Sequence, residues 1–223
     1  MKRSELLKYL ATIISAINTN HPVRVAIDGV DASGKTFMAN ELAEELKLLN
    51  KQVIRVSVDG FHNPKEIRYK KGRNSPEGYY FDSFDNKAII ENVLKPLGSI
   101  ADLRYRKAIF DFKTNSTVDT PTEQASSDAI LLMDGVFLFR PELVNYWDFK
   151  IFLDVDFKST IDRASKRDGY YLGSELEIEK KYRERYVPGQ KLYFKEAHPK
   201  EFADIIINNT DLANPIIVKK STH

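Results

Sequence analysis

Apolar positions along the chain follow two different periods. Leu6, Leu7, Leu10, Ile13, Ile14 and Ile17 recur at helical spacing, with Glu5, Lys8 and Asn18 between them. This predicts an amphipathic helix within residues 1–20 that packs on a domain. Short, nearly continuous apolar runs follow at Val23–Ile27, Gln52–Val58, Ala129–Met133, Lys150–Leu153 and Ile205–Ile207. Strands that read this way are buried on both faces, as at the centre of a parallel sheet. Helical patterns lie between them, Phe37–Leu49 being the clearest. The alternation predicts an α/β fold in three layers, with a mostly parallel core sheet of five strands.

Two stretches break the alternation. Gly60–Phe84 is rich in Gly, Pro and charge and has no clear period, and connections of that length tend to be functional. Leu103–Glu123 holds two β-rich pieces around a polar turn, which predicts an inserted hairpin or small antiparallel patch. Ser174–Tyr186 reads as a strongly charged helix, exposed or part of a lid. No repeat or low-complexity segment interrupts residues 1–223, so the chain reads as one domain.

Chemistry enters where the first strand ends. Gly29-Val-Asp-Ala-Ser-Gly-Lys-Thr36 fits the pattern of Gly, any four residues, Gly, Lys and Ser/Thr that cradles phosphates. Backbone N–H groups of Gly29, Asp31, Ala32, Ser33 and Gly34 would surround a polyphosphate, because glycines let the backbone approach closely. Lys35 would reach the β- and γ-phosphates, and the Thr36 hydroxyl would sit on Mg²⁺. The helix that follows turns the positive end of its dipole to the anion. Asp28, Asp59, Asp134 and Asp154 each follow a strand. In a parallel sheet those ends share one edge, along which ligands bind. Asp also favours turns after strands, so one such residue alone says little.

Composition narrows the partners. The 34 basic and 32 acidic residues leave a net charge of +2, which gives no argument for a nucleic-acid or membrane surface. Cysteine is absent, which rules out a disulfide framework, thiolate metal ligands and a Cys nucleophile, and fits a reducing compartment. Met1-Lys-Arg before an apolar stretch could pass for a signal peptide. Its interspersed charges and the lack of a small-residue cleavage site favour the cytoplasm instead.

Four further features carry candidate chemistry. Asp59, in Val58-Asp-Gly-Phe-His62, is placed to accept the proton of an attacking hydroxyl. His62 could serve as base, contact a substrate or be structural. Asp134 ends an apolar strand, the arrangement that holds Mg²⁺ directly or through water. Arg163 and Arg167 on a helix after Asp154 could stabilise a transferring phosphoryl group, or lie on a solvated face. Lys65, Arg68, Lys70, Lys71 and Arg73 could steer an anion or be ordinary surface charge. Tyr79, Tyr80, Phe81 and Phe84 could stack on a base or anchor the loop to the core.

Taken in order, Gly29–Thr36, Asp59–His62, Phe81–Asp85, Met133–Val136, Arg163–Asp168, Tyr186–Pro188 and Ala203–Ile207 resemble the uridine kinase and phosphoribulokinase family of small-molecule kinases. The resemblance runs from about Val23 to Asn209. It implies a P-loop NTPase fold, with acceptor-binding insertions at 60–125 and a lid at 160–190. It further implies Mg²⁺-dependent transfer of the γ-phosphoryl group of ATP to a small-molecule hydroxyl. Asp59, Lys35, Arg163 and Arg167 would then be catalytic, and Thr36 and Asp134 would serve the metal. Asp59, Phe61, His62, Tyr80, Asp82, Phe110 and Asn115 would line the acceptor site.

The sequence departs from uridine kinases on the acceptor side. Their Tyr-Asp-Phe and following His become Phe110-Asp-Phe112 and Asn115, and the lid shows Gly169-Tyr-Tyr-Leu-Gly173 in place of an Arg-rich stretch. The acceptor expected first is a nucleoside such as uridine. Pantothenate, nicotinamide riboside or a sugar phosphate, and an ATP-binding regulator without transfer, stay open, as does self-association. A GTPase switch is disfavoured because Asn86-Lys-Ala-Ile89 lacks the Asp of a guanine-reading motif.

Overall fold

In a computed structural model of the protein, the structure describes residues 1–172 and 174–220, and the side chains of these apart from 167–172 and 175. Helix α1 (Arg3–Ser15) leads into strand β1 (Val23–Gly29), helix α2 (Lys35–Leu48) and strand β2 (Val53–Ser57). A 3₁₀ turn (Val58–Phe61) and short helices α3 (Lys65–Arg68), α4 (Pro76–Asp82) and α5 (Asn86–Ile89) follow. Four two-residue strands come next: β3 (Arg104–Tyr105), β4 (Phe110–Asp111), β5 (Ser116–Thr117) and β6 (Glu123–Gln124). Strands β7 (Ile130–Asp134) and β8 (Phe149–Asp154) return to the core. Helices α6 (Phe157–Leu172), α7 (Glu175–Lys181), α8 (Val187–Ala197) and α9 (Pro199–Phe202) precede β9 (Ile205–Asn208) and β10 (Ile216–Lys220).

The main sheet has six strands in the order β10-β9-β8-β1-β7-β2. All pairs are parallel except β10 with β9. The expected five strands are all present. The sixth, β10, was not expected: it is an edge strand of exposed and half-buried residues, Ile216-Ile217-Val218 followed by two lysines. The expected antiparallel insertion is also present, as two separate small ladders, β3 with β6 and β4 with β5.

Each central strand feeds both faces. Ile130 and Leu132 of β7 join Val25, Ile27, Ile151 and Leu153 beneath α1 and α2. Leu131 and Met133 of the same strand join Ile54, Val56 and Phe152 on the opposite face, beside Tyr79, Tyr80 and Tyr193. This division explains why β7 reads as apolar throughout instead of alternating. Helix α1 buries Leu6, Leu7, Leu10, Ala11 and Ile14, close to the predicted stripe. Its start is tied to α2 by Arg3, whose guanidinium meets Glu41 at 2.6 Å. Helix α7 begins where Ser-Glu-Leu-Glu allows a capping box: Ser174 N donates to Glu177 Oε2 at 2.8 Å, and Glu177 N donates back to Ser174 Oγ.

Register aligns the strand ends. Ile27 of β1 and Ser57 of β2 both lie opposite Asp134 of β7. Asp28, Asp134 and the turn holding Asp59 therefore reach the same edge of the sheet.

Leu42 of α2 is fully buried, packed among Met38, Leu46 and the sheet. Leu42→Ala is expected to lower the unfolding free energy by about 2–5 kcal/mol through lost transfer and a residual cavity. Urea denaturation checks this as a lower midpoint with the slope unchanged.

Candidate active site

The loop between β1 and α2 is the centre of the site. Its first residue, Gly29, has φ +152°, and a Cβ there would stand 2.6 Å from the Leu153 carbonyl oxygen. The loop thus starts where β8 leaves no room for a side chain. Gly34 caps α2 in the left-handed region at φ +93°, the conformation glycine adopts most readily. Asn209, fully buried after β9, donates from Nδ2 to the Ser33 carbonyl at 2.7 Å and so fixes the loop's crest.

Lys35 lies along this loop, its Nζ donating to the Val30 carbonyl at 2.6 Å. Burial pushes its pKa below the ordinary lysine value, against the charges of Asp31, Asp28, Asp134 and Asp59. Three of the four strand-end acids, Asp28, Asp59 and Asp134, thus act on Lys35 together with Asp31 of the loop, while Asp154 pairs with Lys200 at 2.7 Å. Thr36 Oγ1 donates to Asp134 Oδ2 at 2.6 Å. The other oxygen, Oδ1, accepts from Arg55 Nη2 at 2.7 Å, and the Asp134 side chain is only 3% exposed. A hydroxyl beside a carboxylate is the hard-oxygen donor set that suits Mg²⁺, with nucleotide phosphates and water completing the shell. Among the described residues no group of three or more His, Cys, Asp or Glu could hold a metal unaided.

Asp59 is open to solvent, its side chain 59% exposed. Beside it His62 is mostly buried, its ring 4.5 Å from Phe84 and 5.0 Å from Phe112 by centroids. His62 Nδ1 donates to the Asp59 carbonyl at 3.0 Å, which leaves Nε2 as the acceptor nitrogen. Burial pulls the His62 pKa down to about 4, and the Arg68 charge pulls the same way. The ring is therefore neutral near pH 7.

Several residues expected at the acceptor site have other surroundings. Phe61 is fully buried, Tyr80 is 2% exposed and Phe110 is 5% exposed, so all three pack the core. Tyr80 stacks on Phe137 and under Arg140, which explains its burial. This corrects the expectation that these three side chains touch substrate. Asn115 occupies a positive-φ turn, and its Oδ1 accepts from Lys65 N at 2.9 Å, capping α3. Asp82 pairs with Lys71 at 3.2 Å. The aromatic that meets His62 from the β4–β5 ladder is Phe112, two residues beyond Phe110.

Elsewhere the structure gives further partners. The Asp31 carboxylate accepts from Tyr79 Oη at 2.5 Å and Gln190 Nε2 at 2.8 Å, which leaves its backbone for a phosphate. Arg163 donates to the carbonyls of Ala32, Asn209 and Thr210, at 3.4, 2.8 and 2.7 Å. It braces the loop from behind. The Arg167 side chain and those of the Gly169–Gly173 stretch lie outside the described residues.

Arg55 and Asp28 are functional neighbours absent from the expected site. Arg55 lies inside β2, whose residues alternate between half-buried and buried, and its side chain crosses to Asp134 on the neighbouring strand β7. Asp28 is fully buried: it accepts from Tyr193 Oη, from Gly29 N at 2.6 Å and from Phe139 N at 3.2 Å. Burial pushes its pKa up to about 6, although Tyr193, the backbone donors and Lys35 favour the ionised form.

A strand–loop–helix unit of this geometry, with the Thr36 hydroxyl of α2 bonded to the Asp134 carboxylate at the end of the adjacent strand, is that of P-loop nucleotide-binding proteins. The model of the cytidylate kinase-like family matches residues 24–211, and the chain belongs to that family. It is 26% identical to the uridine kinase of Ligilactobacillus salivarius (strain UCC118), over 84% of this chain and 85% of that one. It is 28% identical to uridine-cytidine kinase B of Dictyostelium discoideum over 72% of this chain, and the match spans only 64% of that relative's length. A solved structure described as a possible uridine kinase from Bacillus stearothermophilus superposes with a TM-score of 0.72 at 23% identity, covering 91% of this chain and 97% of that one. Phosphoribulokinase from Rhodobacter spheroides superposes at 0.59 with 14% identity, covering 85% and 70%. The expected fold and the expected class, an ATP-dependent small-molecule kinase, both stand. No helix among the described residues is long and apolar enough to cross a membrane.

Asp28 yields a pH signature. Its folded pKa lies above the unfolded value, so between about 4 and about 6 the folded state binds more protons. Its contribution to stability therefore falls as pH rises through that window and is constant above it. Asp28→Asn removes the term. The mutant's stability relative to wild type is expected to increase from pH 4 to 6 and then level off, as urea melts at each pH will show. A difference that does not change with pH overturns the raised titration.

Proposed function

We propose that this protein transfers the γ-phosphoryl group of ATP to a hydroxyl of a small, nucleoside-like acceptor. The observation that carries the reading is the meeting, at one sheet edge, of the phosphate loop with the Thr36–Asp134 pair and the exposed carboxylate of Asp59. The uridine kinase relatives support the acceptor class.

In this reading Lys35 leaves the Val30 carbonyl for the β- and γ-phosphates, while the loop N–H groups hold the chain of phosphates in place. Thr36 and Asp134 hold Mg²⁺, which when bound offsets phosphate charge. The acceptor hydroxyl attacks the γ-phosphorus, the bond to the β,γ-bridging oxygen breaks, and ADP leaves. Asp59 takes the hydroxyl proton as the new P–O bond forms. Its side chain is 59% exposed and so open to an incoming acceptor, whereas Asp28 is fully buried. Neutral His62 orients the Asp59 segment through its bond to the Asp59 carbonyl. Arg163 keeps the loop rigid. Arg167 is assigned to neutralise charge from the lid, and the protein to the cytoplasm, where Mg·ATP is available.

ADP release from Mg·ATP across uridine, cytidine, other nucleosides, nicotinamide riboside, pantothenate and pentose phosphates tests the reading. Stimulation by a nucleoside is expected. ATP binding with no stimulation by any acceptor would overturn it in favour of a regulator. Asp59→Asn is expected to reduce kcat by about 10²–10⁴ while the ATP affinity is kept. Near-normal turnover in that variant would remove the base assignment.

A further inference from the structure

Arg68 ends α3 and is 7% exposed. Its Nε and Nη2 are buried and have no hydrogen-bond partner. Its guanidinium lies over the Tyr69 ring, 5.5 Å away by centroid. A cation buried without an anion is rare and costly, because desolvation is not offset. A native structure that retains one needs a reason for it.

The neighbouring Arg185 shows that the fold can satisfy a buried guanidinium. Arg185 is 3% exposed and donates to the carbonyls of Arg73 at 3.0 Å and Ser75 at 3.1 Å. It also lies 5.1 Å from the Tyr69 centroid, and Arg73 lies 5.9 Å away, so three guanidiniums share that ring. Carboxylates on the flanking segments are engaged elsewhere: Asp82 by Lys71, Glu184 by Asn74, and Asp31 by Tyr79 and Gln190. Among the described residues no ion pair joins a carboxylate to the Arg68 guanidinium.

Its place in the fold points to the acceptor. Arg68 belongs to the segment that runs from Asp59 to Phe84 and closes on itself through the His62–Phe84 bridge and the bond from Asp85 N to the Phe61 carbonyl at 2.8 Å. The start of α3 is held by Asn115 from the inserted ladder, and the Arg68 charge reaches His62, which is bonded to Asp59. The nucleotide phosphates already have Lys35 and the loop.

We propose that the acceptor carries an anionic group, a phosphate or a carboxylate, that seats on Arg68. The proposal rests on the phosphoryl-transfer part of the reading above and departs from it in the acceptor, putting an anionic molecule in place of a neutral nucleoside. The charged group would accept the unmatched Nε and Nη2 donors and leave a hydroxyl elsewhere on the molecule for Asp59.

The test uses the full chain and Arg68→Met, with Arg68→Lys as the conservative variant. ADP release is compared for acceptor pairs that differ by the anion: ribose with ribose 5-phosphate, glycerol with glycerate, pantothenol with pantothenate, alongside neutral uridine and cytidine. One anionic member is expected to have a KM at least tenfold below its neutral partner. Arg68→Met should raise that KM tenfold or more, Arg68→Lys should restore part of it, and the Kd for Mg·ATP should hold. Turnover of uridine or cytidine with the same KM in wild type and Arg68→Met, with no anionic acceptor used, overturns the proposal and leaves the kinase reading intact. A loss of ATP affinity in Arg68→Met assigns the cation to the nucleotide and also overturns it.

Two readouts do not depend on turnover. With the phosphate loop saturated by Mg·ADP, inorganic phosphate should raise the Tm of wild type more than that of Arg68→Met; equal shifts overturn the anion site whatever the acceptor panel gives. The ligand-free Tm of Arg68→Met should exceed wild type, since the unmatched charge is gone, whereas a merely structural arginine would lower it.

Discussion

The carboxyl edge of the sheet depends on how closely β1 is held between β7 and β8. Both neighbours run parallel to it, and on the β8 side the pairing continues through Gly29 itself, opposite Leu153. No side chain can stand at Gly29, so the chain must leave the sheet there and turn into the phosphate loop. Asp28 reinforces this exit from within: one carboxylate, fully buried, gathers Gly29 N, Phe139 N and the Tyr193 hydroxyl, and so ties β1 to the segment after β7 and to α8. Loss of any one of these ties would leave a buried polar group unmatched, which costs about 1–3 kcal/mol. The rigidity of the loop is therefore a property of three strands and a helix, and the glycine pattern alone would not produce it.

The groups expected to meet a nucleotide are already bonded to one another. Lys35 rests on Val30, Thr36 and Arg55 occupy both oxygens of Asp134, and Arg163 is on main-chain carbonyls. Binding would exchange some of these bonds for bonds to phosphate. A neutral hydrogen bond contributes about 0.5–1.5 kcal/mol net, and charge-assisted bonds are roughly twice as strong. The exchange favours the ligand, and the internal bonds keep each side chain near its working position beforehand. The four carboxylates that reach Lys35 leave the edge acidic, so it is the loop's backbone donors and the helix end that must favour an anion locally.

How much of this could be read from residues alone varied with the kind of interaction. Periodicity found α1 and the five parallel strands, of which β1, β7, β8 and β9 are buried along most of their length and β2, at the sheet's edge, alternates. It passed over β10, whose side chains have only one weakly covered face. The phosphate-loop pattern and the placement of Asp59 and Asp134 at the sheet edge were legible because they follow from backbone spacing and strand ends. Side-chain partners across long separations were not. Arg55 meets Asp134 from 79 residues away, and Tyr193 meets Asp28 from 165. Nothing in the local sequence distinguishes those residues from others of their type. The aromatics failed in the other direction: Phe61, Tyr80 and Phe110 stand where a binding residue would be expected, yet all three are buried, Phe61 and Tyr80 within the mixed aliphatic and aromatic core of that face.

That core limits what an acceptor can touch. With Tyr79, Tyr80 and Phe84 enclosed, the aromatic surface left near Asp59 is the partly open ring of Phe112 and the edge of His62, and Phe81 stands exposed beside Lys71 and Arg140. A nucleoside base would have one small platform to stack on. On the same segment the cations are plentiful and incompletely matched. Recognition by charge therefore has more to work with here than recognition by stacking. A buried polar donor rejects a ligand that cannot meet it more sharply than an apolar wall rejects a poor fit. If the two compete in shaping specificity, the unmatched guanidinium of Arg68 decides it. A neutral acceptor would leave that charge buried and alone in the complex as well as in the free protein, whereas an anionic one removes the penalty on binding.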